Sequence, residues 1–186
     1  MQKSLYYTSV PSAFGTLSVV WYETAEGPKV RRLLLPDKRA SVEEVLRGTC
    51  AGIMSQSCPG IRELADQIQS YLKGEAVHFR LSLVDLGECS EFQKRVLLAE
   101  YEVPRGWVST YGRIARNLCA PNAARAVGTA LARNPFPIII PCHRTIRSNG
   151  DLGGFGGGLS MKRSLLELEG VEFSTTGKVL TSRFYY

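Results

Sequence analysis

Residues 111–133 read YGRIARNLCAPNAARAVGTALAR. The pattern predicts two short helices, 111–119 and 122–133, joined at Ala120 and Pro121, because proline cannot continue a helix. In the second helix Ala124, Val127 and Leu131 recur on one face, whereas Asn122, Arg125, Thr129 and Arg133 share another. The remaining positions are Ala and Gly, Ala126 among them, so the backbone can approach a narrow groove more closely than a leucine-studded helix could. A helix-turn-helix in a mostly helical, winged-helix-like C-terminal domain is the expectation, although short helix pairs also serve as plain packing cores.

Charge points the same way. Residues 1–87 carry 10 Lys and Arg against 9 Asp and Glu, and residues 88–186 carry 13 against 8. Between Glu102 and Asp151 there is no acidic residue but there are seven arginines: Arg105, Arg113, Arg116, Arg125, Arg133, Arg144 and Arg147. A short charge run is ordinarily a solvated face, but such faces mix signs. One sign over this span predicts a polyanionic partner, and phosphate is the commonest polyanion.

Upstream, residues 5–10, 17–22 and 30–35 have the composition of strands, separated by Pro11, Gly15 and Gly27-Pro28. Ser41, Glu44 and Gly48 predict a short capped helix. Ile61, Leu64, Ile68 and Leu72 predict another, closed by Gly74, and residues 77–84 alternate as a strand would. After a polar break at residues 85–88, Ser90 and Gln93 form a capping-box pattern at the start of a helix whose Phe92, Val96, Ala99 and Val103 share a face. The fold class is therefore α/β, with an N-terminal α/β domain over residues 1–86 and a C-terminal domain over residues 87–186.

A hydrophobic fraction of 44% supports a packed core and makes disorder the wrong default. No window approaches the roughly 18 apolar residues of a membrane span and the N-terminus lacks a basic stretch leading into an apolar run, so a cytoplasmic protein without a membrane partner is expected. Five scattered cysteines, Cys50, Cys58, Cys89, Cys119 and Cys142, include no Cys-x-x-Cys pair, which argues against a disulfide framework and a closed zinc site. All but Cys142 read as small buried apolar residues.

Residues 135–141, with Ile138, Ile139 and Ile140 between prolines, predict a buried extended segment ending on Cys142, His143 and Arg144. A free cysteine has a pKa near about 8.5 and would need help to act as a nucleophile. Neighbours on an extended chain point to opposite sides, so a direct Cys142–His143 pair does not follow; an intervening water could carry the proton, with a more distant acid to orient the ring. Standing alone, such a pair is more often structural.

Ile140-Pro141-Cys142-His143-Arg144, preceded by residues 123–128 (AARAVG) and by Asn134-Pro135, resembles the O6-alkylguanine-DNA alkyltransferases, also called methylated-DNA-protein-cysteine methyltransferases. The resemblance runs from about Phe92 to Gly170 and includes the spacing from arginine helix to cysteine. It implies an RNase H-like N-terminal domain and irreversible single-turnover DNA repair. The alkyl group of a flipped O6-alkylguanine would move to Cys142, with O4-alkylthymine as a further substrate to consider. It also implies a monomer on double-stranded DNA, with no cofactor and no metal. His143 would be the base, Glu169 the acid that orients it, and Asn134 a hinge. Tyr111 would turn the nucleotide, and Arg125 would fill the vacated stack, flanked on the DNA by Asn122, Ala126, Thr129 and Arg133.

The substrate pocket would take Phe155, Gly156, Thr145 and Pro137, covered by the glycine-rich residues 153–159. Where many relatives have Tyr in this loop the chain has Phe155, and where Ser or Arg often follows it has Gly156, so a backbone donor survives there and a side-chain donor does not. The alternatives are a non-catalytic alkylguanine sensor, which would lack the acceptor cysteine, and a helix-turn-helix regulator, which would need a dimer interface.

Overall fold

A computed structural model describes residues 4–36 and 53–186. The helix expected around Ser41 and Cys50 lie outside the described residues. The chain is a mixed α/β protein of two compact units, Met1–Gly87 and Glu88–Tyr186.

In the first unit β1 (Tyr6–Val10), β2 (Leu17–Thr24), β3 (Gly27–Leu34) and the short β4 (Met54–Ser55) form a sheet of order β3-β2-β1-β4. The β1-β2 and β2-β3 pairs are antiparallel, and β4 runs parallel to β1. β2 is central and buried from Leu17 to Tyr22, which explains its near-continuous apolar run. The hairpin turn is tighter than expected: Gly27 and Pro28 belong to β3, paired with Thr24 and Glu23. Proline is tolerated there because β3 is an edge strand.

Helix α1 (Pro59–Leu72) packs on β1 and buries Ile61, Leu64, Ile68, Tyr71 and Leu72, each full apolar burial contributing about 1.5–3 kcal/mol. Gly74, at φ +98°, lets the chain reverse at the helix end. The strand expected over residues 77–84 does not form. That stretch is irregular except for a 3-10 turn at Leu81–Leu83 and one bridge from Val84 to Val30. Phe79 and Val84 are buried without a ladder, so the alternation reports burial and not pairing.

The second unit begins with α2 (Glu91–Tyr101), capped as expected by the Ser90 hydroxyl accepting from Gln93 N–H. The reciprocal half of the capping box is not made: Gln93 Nε2 donates instead to the carbonyls of Ala130 and Arg133, tying α2 to the helix pair. That pair is α3 (Tyr111–Asn117) and α4 (Ala124–Ala132), both shorter than expected. α3 ends in a Schellman arrangement, Ala120 N–H to Ala115 O and Cys119 N–H to Arg116 O, with Cys119 at φ +57°. This geometry leaves Cys119 exposed, against the expectation that it is buried; Cys58 is half-buried and Cys89 buried. Asn122 precedes α4 and does not extend its polar face.

β5 (Ser109–Thr110) runs parallel to β6 (Thr145–Ile146), and α5 (Gly158–Leu168) follows β6. Val108, Ile146, Leu166, Val171 and Val179 form an apolar cluster beneath this crossing. The C-terminal residues, which showed no pattern in the sequence, have a structural place. β7 (Glu172–Phe173) and β8 (Val179–Leu180) form a hairpin, and beyond it Val108 N–H donates to Arg183 O and Tyr185 N–H to Val108 O. No helix among the described residues is long and apolar enough to cross a membrane.

Candidate active site

The segment leading to Cys142 is buried but not extended. Residues 136–140 fold into a tight turn, with Ile140 N–H donating to Phe136 O and Ile138 at φ +73°. A β-branched residue in the left-handed region costs about 1–3 kcal/mol, so the surroundings must impose it. Asn134 does so: its Oδ1 accepts from Phe136 N–H and its Nδ2 donates to Ile140 O, each at 2.9 Å. A buried apolar run between prolines is consistent with this turn as well as with a strand, and the run alone does not reveal the difference.

Cys142 and His143 then lie on a 3-10 turn, Cys142–Arg144, next to β6. Thr110 and Tyr111 are brought alongside by the β5-β6 pairing. Cys142 is 9% exposed and His143 is fully buried. His143 Nε2 lies 3.1 Å from Glu169 Oε1. Glu169 is fixed at the C-cap of α5, because Gly170 adopts φ +82° and closes the helix through Val171 N–H to Leu166 O.

Arg144 is the partner that sequence reasoning missed. Its Nε donates to Glu169 Oε2 at 2.9 Å, its Nη2 to Oε1 at 2.7 Å and its Nη1 to Val103 O at 2.6 Å. The sequence showed it only as the last residue of the Cys142 motif and one of seven arginines, with nothing to tie it to Glu169. Gly106 N–H adds a donor to Glu169 Oε2.

The electrostatics follow from burial and these partners. Burial pushes the Cys142 thiol up to about 12, opposed by the Asn134 hydrogen bond and by Lys162 and reinforced by Glu100, so the resting group is the neutral thiol. Burial likewise lowers the His143 pKa, against the pull of Glu169, keeping the imidazole neutral and able to accept a proton. Burial alone would raise Glu169, but His143 and Arg144 outweigh it and hold the carboxyl well below the usual carboxylate range. A carboxylate facing Nε2 favours the tautomer protonated there and leaves Nδ1 as the basic nitrogen.

Tyr111 is half-buried. Burial raises its pKa, and its hydroxyl accepts a hydrogen bond from Gly154 N–H. A Cβ at Gly153, where φ is +70°, would lie 2.6 Å from its hydroxyl, so at this position the loop approaches the ring as glycine, whereas a Cβ at Gly128 of α4 would meet the ring at an ordinary 3.6 Å. The Phe155 ring stands edge-on to His143, centroids 6.2 Å apart. Gly156 is exposed, while Thr145 and Pro137 are buried on either side of the Cys142 turn, with the Thr145 hydroxyl donated to Glu100. Arg125, Ala126 and Thr129 are exposed along α4, Arg133 is exposed at its C-cap, and Asn122 is exposed just before it.

In class this is a two-unit α/β protein whose second unit couples a short helix pair to a buried cysteine, histidine and glutamate. Residues 91–171 match the family model described as 6-O-methylguanine DNA methyltransferase, DNA binding domain. Methylated-DNA-protein-cysteine methyltransferases from Methanothermobacter thermautotrophicus and Methanosarcina acetivorans are 48% and 49% identical over 111 and 109 residues, spanning 60% and 59% of this chain and 62% and 69% of theirs. The crystal structure of Mycobacterium tuberculosis OGT in complex with DNA superposes with a TM-score of 0.72 at 35% identity, over 88% of this chain and 92% of that one. The chain belongs to the methylated-DNA-protein-cysteine methyltransferase family.

Proposed function

We propose that this chain repairs DNA by moving the alkyl group of O6-alkylguanine onto Cys142, once per molecule. The observation that carries the reading is the buried Cys142 beside an imidazole already oriented by Glu169. Cys142 Sγ attacks the alkyl carbon, the carbon-O6 bond breaks with its electron pair going to guanine, and a thioether forms. The thiol proton leaves through a water to His143 Nδ1, Glu169 balances the imidazolium, and the proton returns to the departing guanine. No cofactor enters this sequence, and a thioether is not readily reversed.

The partner in this reading is double-stranded DNA met by a monomer, with residues 87–186 binding DNA and accepting the alkyl group, residues 1–86 as auxiliary domain, and a cytoplasmic location. Helix-turn-helix, winged-helix-like and RNase H-like are the corresponding finer descriptions of the fold. Flipping a base costs roughly a few kcal/mol, less for a weakly paired damaged one. Arg125, exposed near the start of α4, offsets part of that cost by occupying the vacancy, with Asn122, Ala126, Thr129 and Arg133 along the groove. Tyr111 supports the turned nucleotide, and Asn134 joins α4 to the acceptor turn. Backbone N–H groups of the loop around Phe155 and Gly156 would stabilise charge on the departing base.

Incubation with duplex DNA containing O6-methylguanine tests the reading. Digested DNA should lose one equivalent of O6-methylguanine per protein, and none with Cys142→Ser. Tight binding with the lesion intact would favour a sensor instead.

A further inference from the structure

Two buried ionisable side chains play no part in the steps above. Glu100 of α2 and Lys162 of α5 are both fully buried, and both are bonded to Thr145, three residues beyond Cys142. Glu100 Oε2 accepts from Thr145 Oγ1 at 2.5 Å, and its Oε1 has no hydrogen-bond partner among the described residues. Lys162 Nζ donates to Thr145 O at 2.6 Å and to Gly154 O at 3.2 Å, spanning the acceptor turn and the glycine-rich loop. Burying charge is costly even when paired, and apolar residues in such places are often neutral or more stable. Both side chains occupy positions of apolar stripes, Glu100 between Val96 and Val103 and Lys162 before Leu165 and Leu166, where packing alone would favour leucine.

We propose that Glu100 and Lys162 form a counter-charged pair, joined through Thr145, that sets the net charge behind Cys142: Lys162 stabilises the thiolate and Glu100 opposes it. Both act on the sulfur without touching the alkyl group, so they are positioning residues. The proposal rests on Cys142 being the acceptor. Burial holds the Glu100 carboxyl up at about 7, against Thr145, Lys162 and Arg144, and holds Lys162 down at about 8, against Cys142 and Glu100. The pair therefore titrates close to neutrality, as a unit. The other titratable groups in its field are Tyr111 and Tyr186, which sense Glu100, and His143, which senses Lys162.

The test is the pH profile of Cys142 alkylation in the full chain by iodoacetamide, read from the mass of the Cys142 peptide, beside benzyl transfer from O6-benzylguanine. Glu100→Gln keeps an acceptor for Thr145 and removes the charge. It should react about threefold faster than native above about pH 8, the ratio falling toward one near about pH 6 where native Glu100 is already protonated. Lys162→Met should slow the reaction about tenfold, with Lys162→Arg restoring part of the rate; without Lys162 the Glu100 carboxyl stays protonated to higher pH, so adding Glu100→Gln in that background should gain clearly less than threefold.

Superimposed profiles for native and Glu100→Gln, or strict additivity in the double variant, would overturn the pair. Should Lys162→Met fail to fold, the isosteric Glu100→Gln decides alone. Iodoacetamide requires neither DNA nor alkylguanine, so a shifted profile without benzyl transfer would sink the functional reading and leave the pair standing.

Discussion

Arg144 holds Glu169 with two prongs of its guanidinium, Nε at 2.9 Å from Oε2 and Nη2 at 2.7 Å from Oε1. The same carboxylate faces His143, so the ring proposed to take the Cys142 proton is oriented by an acid that is itself held by an arginine. Arg144→Ala would leave Glu169 buried without its main counter-charge, a loss of about 3–5 kcal/mol. Urea unfolding should register that loss. Arg144→Lys cannot reproduce the fork and should recover only part of it. An unchanged midpoint in Arg144→Ala would show that the pair carries no stability.

Stability should depend on pH from both sides. Glu169 has a lowered pKa in the folded state, so its contribution is present above its ordinary value of 4.5 and is lost as pH falls below it. Glu100 is raised from 4.5 to about 7, so the stability linked to it is present below 4.5 and is lost as pH rises through about 7. Glu100→Gln should therefore match native stability near about pH 4.5 and exceed it by about 3 kcal/mol near about pH 8. Thermal or urea unfolding at the two pH values measures this, and equal differences at both would contradict it.

Gly153→Ala places a methyl group 2.6 Å from the Tyr111 hydroxyl, in a backbone at φ +70° that alanine resists. The loop must move or the ring must turn. Transfer from O6-benzylguanine should fall about tenfold while the far-UV spectrum stays native. Native rates in this variant would mean that the loop does not approach Tyr111 during reaction.

Arg125→Ala separates base flipping from chemistry. Repair of O6-methylguanine in duplex DNA should slow far more than reaction with free O6-benzylguanine, which has no stack to leave. Equal losses on both substrates would remove the finger role. Binding to duplex DNA should also weaken steeply with salt, as phosphate contacts require.

Periodic parts of the chain were readable in advance and strained parts were not. α1 followed from Ile61, Leu64, Ile68 and Leu72, and the Ser90 cap from its spacing to Gln93, because these depend on local geometry. Residues 77–84 alternated without pairing, since alternation encodes burial and a strand also needs a neighbour. Ile138 misled most: three consecutive isoleucines favour an extended chain, and only the Asn134 clamp forces the turn that delivers Cys142. In the site, the resemblance pointed to Cys142, His143 and Glu169, but the part played by Arg144, though it ends the same motif, and by Glu100 and Lys162 took on meaning only once folding brought separate segments together. A charged residue on an apolar stripe, as at Glu100 and Lys162, was the one signal available for the last two.

The most direct test is the mass of the Cys142 peptide after the protein meets duplex DNA carrying O6-methylguanine. A gain of one methyl group on Cys142, reaching one per molecule and absent from the peptides of Cys50, Cys58, Cys89 and Cys119, is the predicted result. An unmodified Cys142 peptide alongside stably bound, unrepaired DNA would contradict the account.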